Sequence, residues 1–190
     1  MREQQTRLDA ESNMVPIMSV VRCHAVTPSP YLVRWEKPTC RRAVSLSICC
    51  DLRAVDLGCG CGRNSEYLRK RGWHVVAFDK APGYARAGRL ELGQEYVPVW
   101  DGSADLILLQ YLMMFLDAQS RSKLMRDVVR IAGFGARLLV ELYPAKDSFT
   151  PTQKDCDALQ KELLSALGEE WHIRHNVKNR FLAEKAPRGR

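Results

Sequence analysis

Between Ala54 and Asn64 the chain reads Ala-Val-Asp-Leu-Gly-Cys-Gly-Cys-Gly-Arg-Asn, and this stretch restricts the fold more than any other. A short apolar run carrying one acid, Asp56, breaks into glycine at alternate positions, Gly58, Gly60 and Gly62. A helix-like segment, 64–71, follows at once. Strand, glycine loop and helix in immediate succession bring a nucleotide-like ligand against backbone at the switch edge of a parallel sheet. Glycine permits positive φ there and leaves no Cβ under the ligand.

The rest of the chain extends this alternation. His74–Phe78 is a near-continuous apolar run, expected to be buried on both faces of a parallel sheet, and it ends in Asp79. Pro82 opens a helical stretch to about Leu92, weakened by Gly83, Gly88 and Gly93, and Glu95–Trp100 reads as a short strand before an Asp101-Gly102 turn. Asp105–Gln110 is the next buried strand, running into Tyr111–Leu116. Asp117 caps a helix over 118–132 whose Leu124, Val128 and Ile131 share one face. Gly133 and Gly135 are expected to end that helix, with a strand over Ala136–Tyr143. Thr150-Pro-Thr-Gln153 has the form of a capping box for a helix reaching about Leu167, and Trp171–His175 and Arg180–Glu184 read as closing strands or a hairpin. The expected fold class is therefore α/β, a Rossmann-like, doubly wound and mainly parallel sheet with an antiparallel C-terminal strand or hairpin.

The lead-in is less regular. Residues 1–13 read as a frayed arm, 14–26 as apolar but interrupted by Pro16, and Thr39–Cys49 as a weakly amphipathic helix. The domain reading is a lead-in over 1–52, serving as a lid or packing on the sheet, a ligand-binding domain over 53–186, and a disordered tail over 187–190.

At 190 residues the chain suits one domain. No run approaches the 18 apolar residues of a membrane span, and Met1–Asn13 lacks the apolar core of a leader, so no membrane association and a cytoplasmic location are expected. Seven cysteines, an odd number without a Cys-x-x-Cys pair, favour neither a disulfide framework nor a zinc site and fit a reducing compartment. His172 and His175 are expected on opposite strand faces, so no metal is anticipated. The formal charge of +7 permits nucleic-acid binding without favouring it, because the basic residues are dispersed.

Two ligand classes compete for the loop. A dinucleotide suits Gly-x-Gly-x-x-Gly, whereas this loop is Gly-x-Gly-x-Gly with a carboxylate two residues ahead. Asp56 would repel a pyrophosphate but stabilise a phosphate-free nucleoside carrying ammonium and sulfonium groups. Asp79 can accept both hydroxyls of a ribose diol. A loop-capping Asp56 and an ordinary strand-end Asp79 are the structural alternatives.

Val55-Asp-Leu-Gly-Cys-Gly-x-Gly62 resembles motif I of class I S-adenosylmethionine-dependent methyltransferases, Val75–Asp79 is similar to their second motif, and Ala104–Tyr111 to their fourth. Gly58–Ser65 with Tyr67-Leu68, Asp79-Lys80 and Met113–Leu116 further resembles the tellurite-resistance branch, which acts on small soft nucleophiles. The resemblance implies S-adenosylmethionine as cofactor, held by Asp56, Gly58, Cys59, Gly60, Gly62, Asn64, Asp79, Lys80 and Gln110, with Asp101 and Gly102 at the adenine. Only 25 residues separate Asp79 from Asp105, so the adenine end is compressed. Tyr111 is the expected substrate-facing, catalytic residue. The edge after the fourth strand lacks the Asn/Asp-Pro-Pro-aromatic pattern of amino methyltransferases, so a small-molecule acceptor, such as a thiol or a selenium or tellurium compound, is expected. A non-methylating cofactor-binding protein and an RNA or protein methyltransferase are the alternatives.

Overall fold

A computed structural model describes residues 27–36, 52–142 and 153–187. The expectations for the arm, the apolar 14–26 stretch, the 39–49 helix, the capping residues 150–152, Tyr143 and the last three tail residues lie outside the described residues.

Helix α1 (Pro30–Trp35) precedes β1 (Arg53–Leu57), α2 (Arg63–Lys70), β2 (His74–Asp79), the two-residue β3 (Gly88–Arg89) and β4 (Ala104–Gln110). Then come α3 (Ala118–Ile131), β5 (Ala132–Glu141), α4 (Gln153–Ser165), β6 (Trp171–Val177) and β7 (Arg180–Lys185). The strands form one sheet in the order β3-β2-β1-β4-β5-β7-β6. Strands β1 to β5 pair in parallel, β7 is antiparallel to β5, and β6 is antiparallel to β7. The expected fold class and the closing hairpin are both present.

Chain order reverses at β1, so the glycine loop leaves the sheet where β2 and β4 diverge, at a switch point. The core lies on both faces of the central strands. Leu106 and Leu108 of β4 pack with Tyr31 and Leu32 of α1 and Leu68 of α2. Ile107 and Leu109 face Leu124, Val128 and Ile131 of α3 and Leu163 of α4. Alternation along one strand thus supplies two apolar layers, and the apolar run of β4 is needed for both. At the start of α3, Asp117 Oδ1 accepts the Ser120 N–H at 2.7 Å, the expected cap.

Four expectations are corrected. Strand β2 is not buried throughout: Val76 is 45% exposed, because β2 is flanked on its outer side by β3 only at Phe78 and Asp79. The helix expected from Pro82 does not form, nor does a strand over 95–100. Gly88 lies against the Phe78 ring and Gly93 takes positive φ beside Ser120, so tertiary contact overrides a weak helical propensity. Gly133 and Gly135 do not separate α3 from β5; they lie inside β5, which begins directly after the helix. A Cβ on Gly133 would stand 2.7 Å from the Gly102 carbonyl oxygen, so the close approach of the β4 lead-in requires glycine.

Candidate active site

The glycine loop satisfies its own backbone. Gly58 and Cys59 donate their N–H groups to the Phe78 carbonyl at 2.8 and 3.1 Å, and the Gly62 N–H goes to the Cys59 carbonyl at 2.9 Å. The Gly60 N–H donates to Asp79 Oδ2 at 2.9 Å. The amides that would cradle a phosphate in a dinucleotide loop are thus already used, and a carboxylate stands beside them. Gly62 is covered by the Tyr84 ring, only 2.2 Å from where a Cβ would lie, whereas nothing lies within 4 Å of the corresponding point on Gly60. Gly60 is the open position of the loop.

Asp56 lies at the end of β1 with 2% of its surface exposed, and Oδ2 accepts from Ser65 Oγ at 2.5 Å. Burial raises its carboxyl to about 6, against a lowering by Ser65; the Asp79 charge adds to the rise. A buried acid held this high gains most from a cation placed beside it.

Asp79 accepts from Gly60 with one oxygen and from the Ala81 N–H with the other, at 2.9 Å each, leaving lone pairs on both oxygens. The acid brought beside it by β3 is Glu91, which the sequence reading did not single out. The Leu90 N–H donates to the Asp79 carbonyl, and Lys80 Nζ lies 2.7 Å from Glu91 Oε1. Asp101 and Gly102 belong elsewhere. They precede β4 at the opposite end of the sheet from the glycine loop, and Asp101 is paired with Arg130 at 2.6 Å. Their expected place at the adenine is corrected: β4 runs away from that turn toward the loop.

The outer side of the edge is polar and buried. Tyr111 follows β4 with φ +58, its N–H donating to the Glu141 carbonyl at 2.7 Å and its ring 5.6 Å from the Arg63 guanidinium. Burial first, then the charge and hydrogen bond of Glu141, push its phenol far above the ordinary tyrosine range. Asn64 Nδ2 donates to Gln110 Oε1, and Gln110 Nε2 to Glu141 Oε2. Glu141 and its partner Ser29 had no local sequence signal. Met113 is core and Phe115 is exposed. Trp35 and His175 stack at the far flank of α1, away from the loop, and His172 is exposed.

Cys59 is a buried free thiol pushed up to about 12 by burial, with Asp56 and Asp79 adding. Cys61 is disulfide-bonded, contrary to the expectation drawn from the cysteine count.

Residues 55–140 match the family model described as a methyltransferase domain. That stretch, from β1 through β5, is similar to methyltransferase domains, and solved S-adenosylmethionine-dependent methyltransferases share its fold. No curated protein sequence matches the chain. Solved structures share the methyltransferase fold at low identity. A TehB-like S-adenosylmethionine-dependent methyltransferase of Corynebacterium glutamicum is 17% identical, with 98% of this chain and 96% of that one covered and a TM-score of 0.59. A methyltransferase of Mesorhizobium loti is 16% identical, covering 71% and 91%, with a TM-score of 0.51. The [4+2]-cyclase SpnF is 10% identical, covering 72% and 75%, with a TM-score of 0.54. The match ends at residue 140, before α4. Among the described residues no helix is long and apolar enough to cross a membrane.

Proposed function

We propose that this domain moves the cofactor's methyl group to a small-molecule acceptor, with soft nucleophiles such as a thiol or a selenium or tellurium compound foremost. The observation that carries the reading is the phenol of Tyr111 at the acceptor edge, held protonated by burial and by Glu141. Such a phenol donates a hydrogen bond and does not take a proton. Glu141 Oε2 already receives Ser29 Oγ and Gln110 Nε2, and Oε1 is paired with Arg180. An acceptor that must lose a proton finds no free base in that pair, whereas a thiolate needs none.

S-adenosylmethionine, when bound, supplies an activated methyl on a sulfonium. In this reading the protein's part is to bind, align and exclude water. Asp56 faces the cationic groups, and Gly58, Cys59, Gly60 and Gly62 underlie the ligand. Asp79 and Lys80 take the ribose end, with Glu91 replacing Asp101 and Gly102 at the adenine. Asn64 and Gln110 shape the edge beneath the methyl group, and Tyr111 meets the acceptor.

Calorimetry with S-adenosylmethionine, S-adenosylhomocysteine and NAD tests the ligand class, and S-adenosylhomocysteine release with thiol, selenite and RNA panels tests the acceptor. Turnover on the thiol or selenite panel is expected. Turnover on RNA alone would overturn the ranking in favour of the reading suggested by the +7 charge. A second reading, a cofactor-binding protein that methylates nothing, draws on the crossover between β2 and β4, which has no helix to back the adenine end. It predicts cofactor binding with no release on any panel. The compartment proposed is the cytoplasm. The free thiol of Cys59 favours it and the Cys61 disulfide does not, so thiol trapping after cell fractionation decides.

A further inference from the structure

Four segments far apart in sequence close one hydrogen-bonded ring at the C-terminal edge of the sheet. Ser29 donates twice, from its N–H to Asn64 Oδ1 at 2.9 Å and from Oγ to Glu141 Oε2 at 2.6 Å. Asn64 donates to Gln110, and Gln110 Nε2 donates to the same Glu141 oxygen at 3.1 Å. Every bond points from Ser29 toward Glu141, so the ring has one source and one sink. A side chain that only accepts suits the sink; an amide could keep its oxygen on the two ring donors only by turning its NH2 toward Arg180 Nε. All four residues are buried.

Glu141 does more than close the ring. Its Oε1 lies 3.0 Å from Arg180 Nε. Its carbonyl accepts the Tyr111 N–H at 2.7 Å, and its carboxylate stands near enough to the Tyr111 phenol to raise it by charge and hydrogen bonding. Tyr111 holds a positive φ of 58°, a conformation that strains a bulky L residue and persists only where the surroundings over-determine it. Here one neighbour grips both ends of the residue, backbone and hydroxyl. The Arg63 guanidinium lies over the ring.

We propose that Glu141 is a positioning residue of the methyl-transfer edge, holding Tyr111 at both ends and Ser29 at the start of α1 so that together they form the fixed wall an acceptor meets. The proposal rests on reading this edge as the acceptor side of the methyltransferase. A carboxylate present only for stability would need Arg180 and nothing from Tyr111.

Glu141→Gln, Ser29→Ala and Tyr111→Phe test it by alkaline tyrosine titration in the ultraviolet, amide exchange over 29–36, and calorimetric affinity for S-adenosylmethionine. Tyr31 and Tyr111 are both late-ionising phenols raised in part by Glu141, so Glu141→Gln is expected to bring both down, by about one pH unit or more, and only the second is missing in Tyr111→Phe. Ser29→Ala is expected to speed exchange over 30–36 about tenfold while cofactor affinity stays within about threefold. A titration curve unchanged by Glu141→Gln overturns the proposal, as does cofactor affinity lost in parallel with exchange protection. If Glu141→Gln does not fold, Tyr111→Phe decides: removal of an ordinary rather than a late phenol overturns the assignment. Failure of the methyltransferase reading shows separately, as no cofactor binding by the parent chain, and leaves the titration readable.

Discussion

The two flanks of β1 are held together by different physics. On the β4–β5–β7 side, each strand is covered by helices on both faces, and Leu106 to Leu109 are all but fully buried. On the β2–β3 side the crossover from Lys80 to Ser103 contains no helix, and Val76 and Trp100 are left 45% and 85% exposed. A cleft of roughly 470 Å³ opens there, bordered by Arg53, His74, Val76, Pro98 and Trp100. Beside the buried Leu90, Leu92 and Val97 and the Gln94–Ser120 hydrogen bond, one guanidinium ties this flank to α3. Arg130 of α3 donates to the carbonyls of Val97 and Val99 at 2.8 Å each, pairs with Asp101 and Asp127 at 2.6 Å, and lies 4.1 Å from the Tyr96 ring centroid. Apolar area dominates on one side, and on the other a planar guanidinium fork supplements a smaller apolar contribution from Leu90, Leu92 and Val97. The cofactor loop stands between them.

If this contrast is right, substitutions on the two flanks should fail differently. Leu108→Ala on the packed side is expected to destabilise by about 2–5 kcal/mol, read as a drop in chemical denaturation midpoint. At the junction, Asp79→Ala removes the acceptor of the Gly60 and Ala81 amides together with the proposed ribose contact. S-adenosylmethionine affinity should fall about 100-fold by calorimetry. Arg130→Lys keeps the charge but loses the fork. It should cost about 1–3 kcal/mol and raise amide exchange selectively over 95–101; uniform loss across the sheet would contradict a local strap.

Asp56 gives a smaller effect with a defined pH window. Its folded-state value of about 6 lies above the ordinary 3.8, so the folded chain holds this proton more tightly than the unfolded chain does. Its contribution to stability is therefore full below about pH 4 and is lost as pH rises through 6. Asp56→Asn should then raise the melting temperature by a few degrees at pH 7 while weakening S-adenosylmethionine about tenfold. In the parent chain, affinity for the cationic cofactor should decline as pH falls below about 6, with proton release on binding near that pH. Trp100→Ala should change stability by less than about 0.5 kcal/mol, since most of that indole already contacts solvent.

Much of the packed flank was legible in the sequence because its signals are local. An apolar run for β4, a capping aspartate for α3 and alternating glycines after β1 each fix their element within a few residues. The open flank was misread for the converse reason. Gly83, Gly88 and Gly93 left helix propensity low enough that contacts with Phe78 and Ser120, distant in sequence, decided the outcome. The same distance hid two acids of the site. Glu91 comes beside Lys80 only because β3 pairs with the end of β2, and Glu141 meets Ser29 from 112 residues earlier. Asp101 looked suitable by spacing from Asp79, but which end of the next strand it occupies was not encoded in spacing.

The direct passage from α3 into β5 has a mechanical consequence. No linker residue stands between Ile131 and Ala132, and Lys185 Nζ ties the Val129 and Ala132 carbonyls at 3.2 and 3.1 Å to the far strand β7. Helix and strand therefore cannot pivot about this joint, and α3, β5 and β7 move as a single rigid body. Any hinge that admits or releases a ligand within the described residues is displaced to the opposite flank, where the crossover hangs from the end of that same body by the Arg130 side chain.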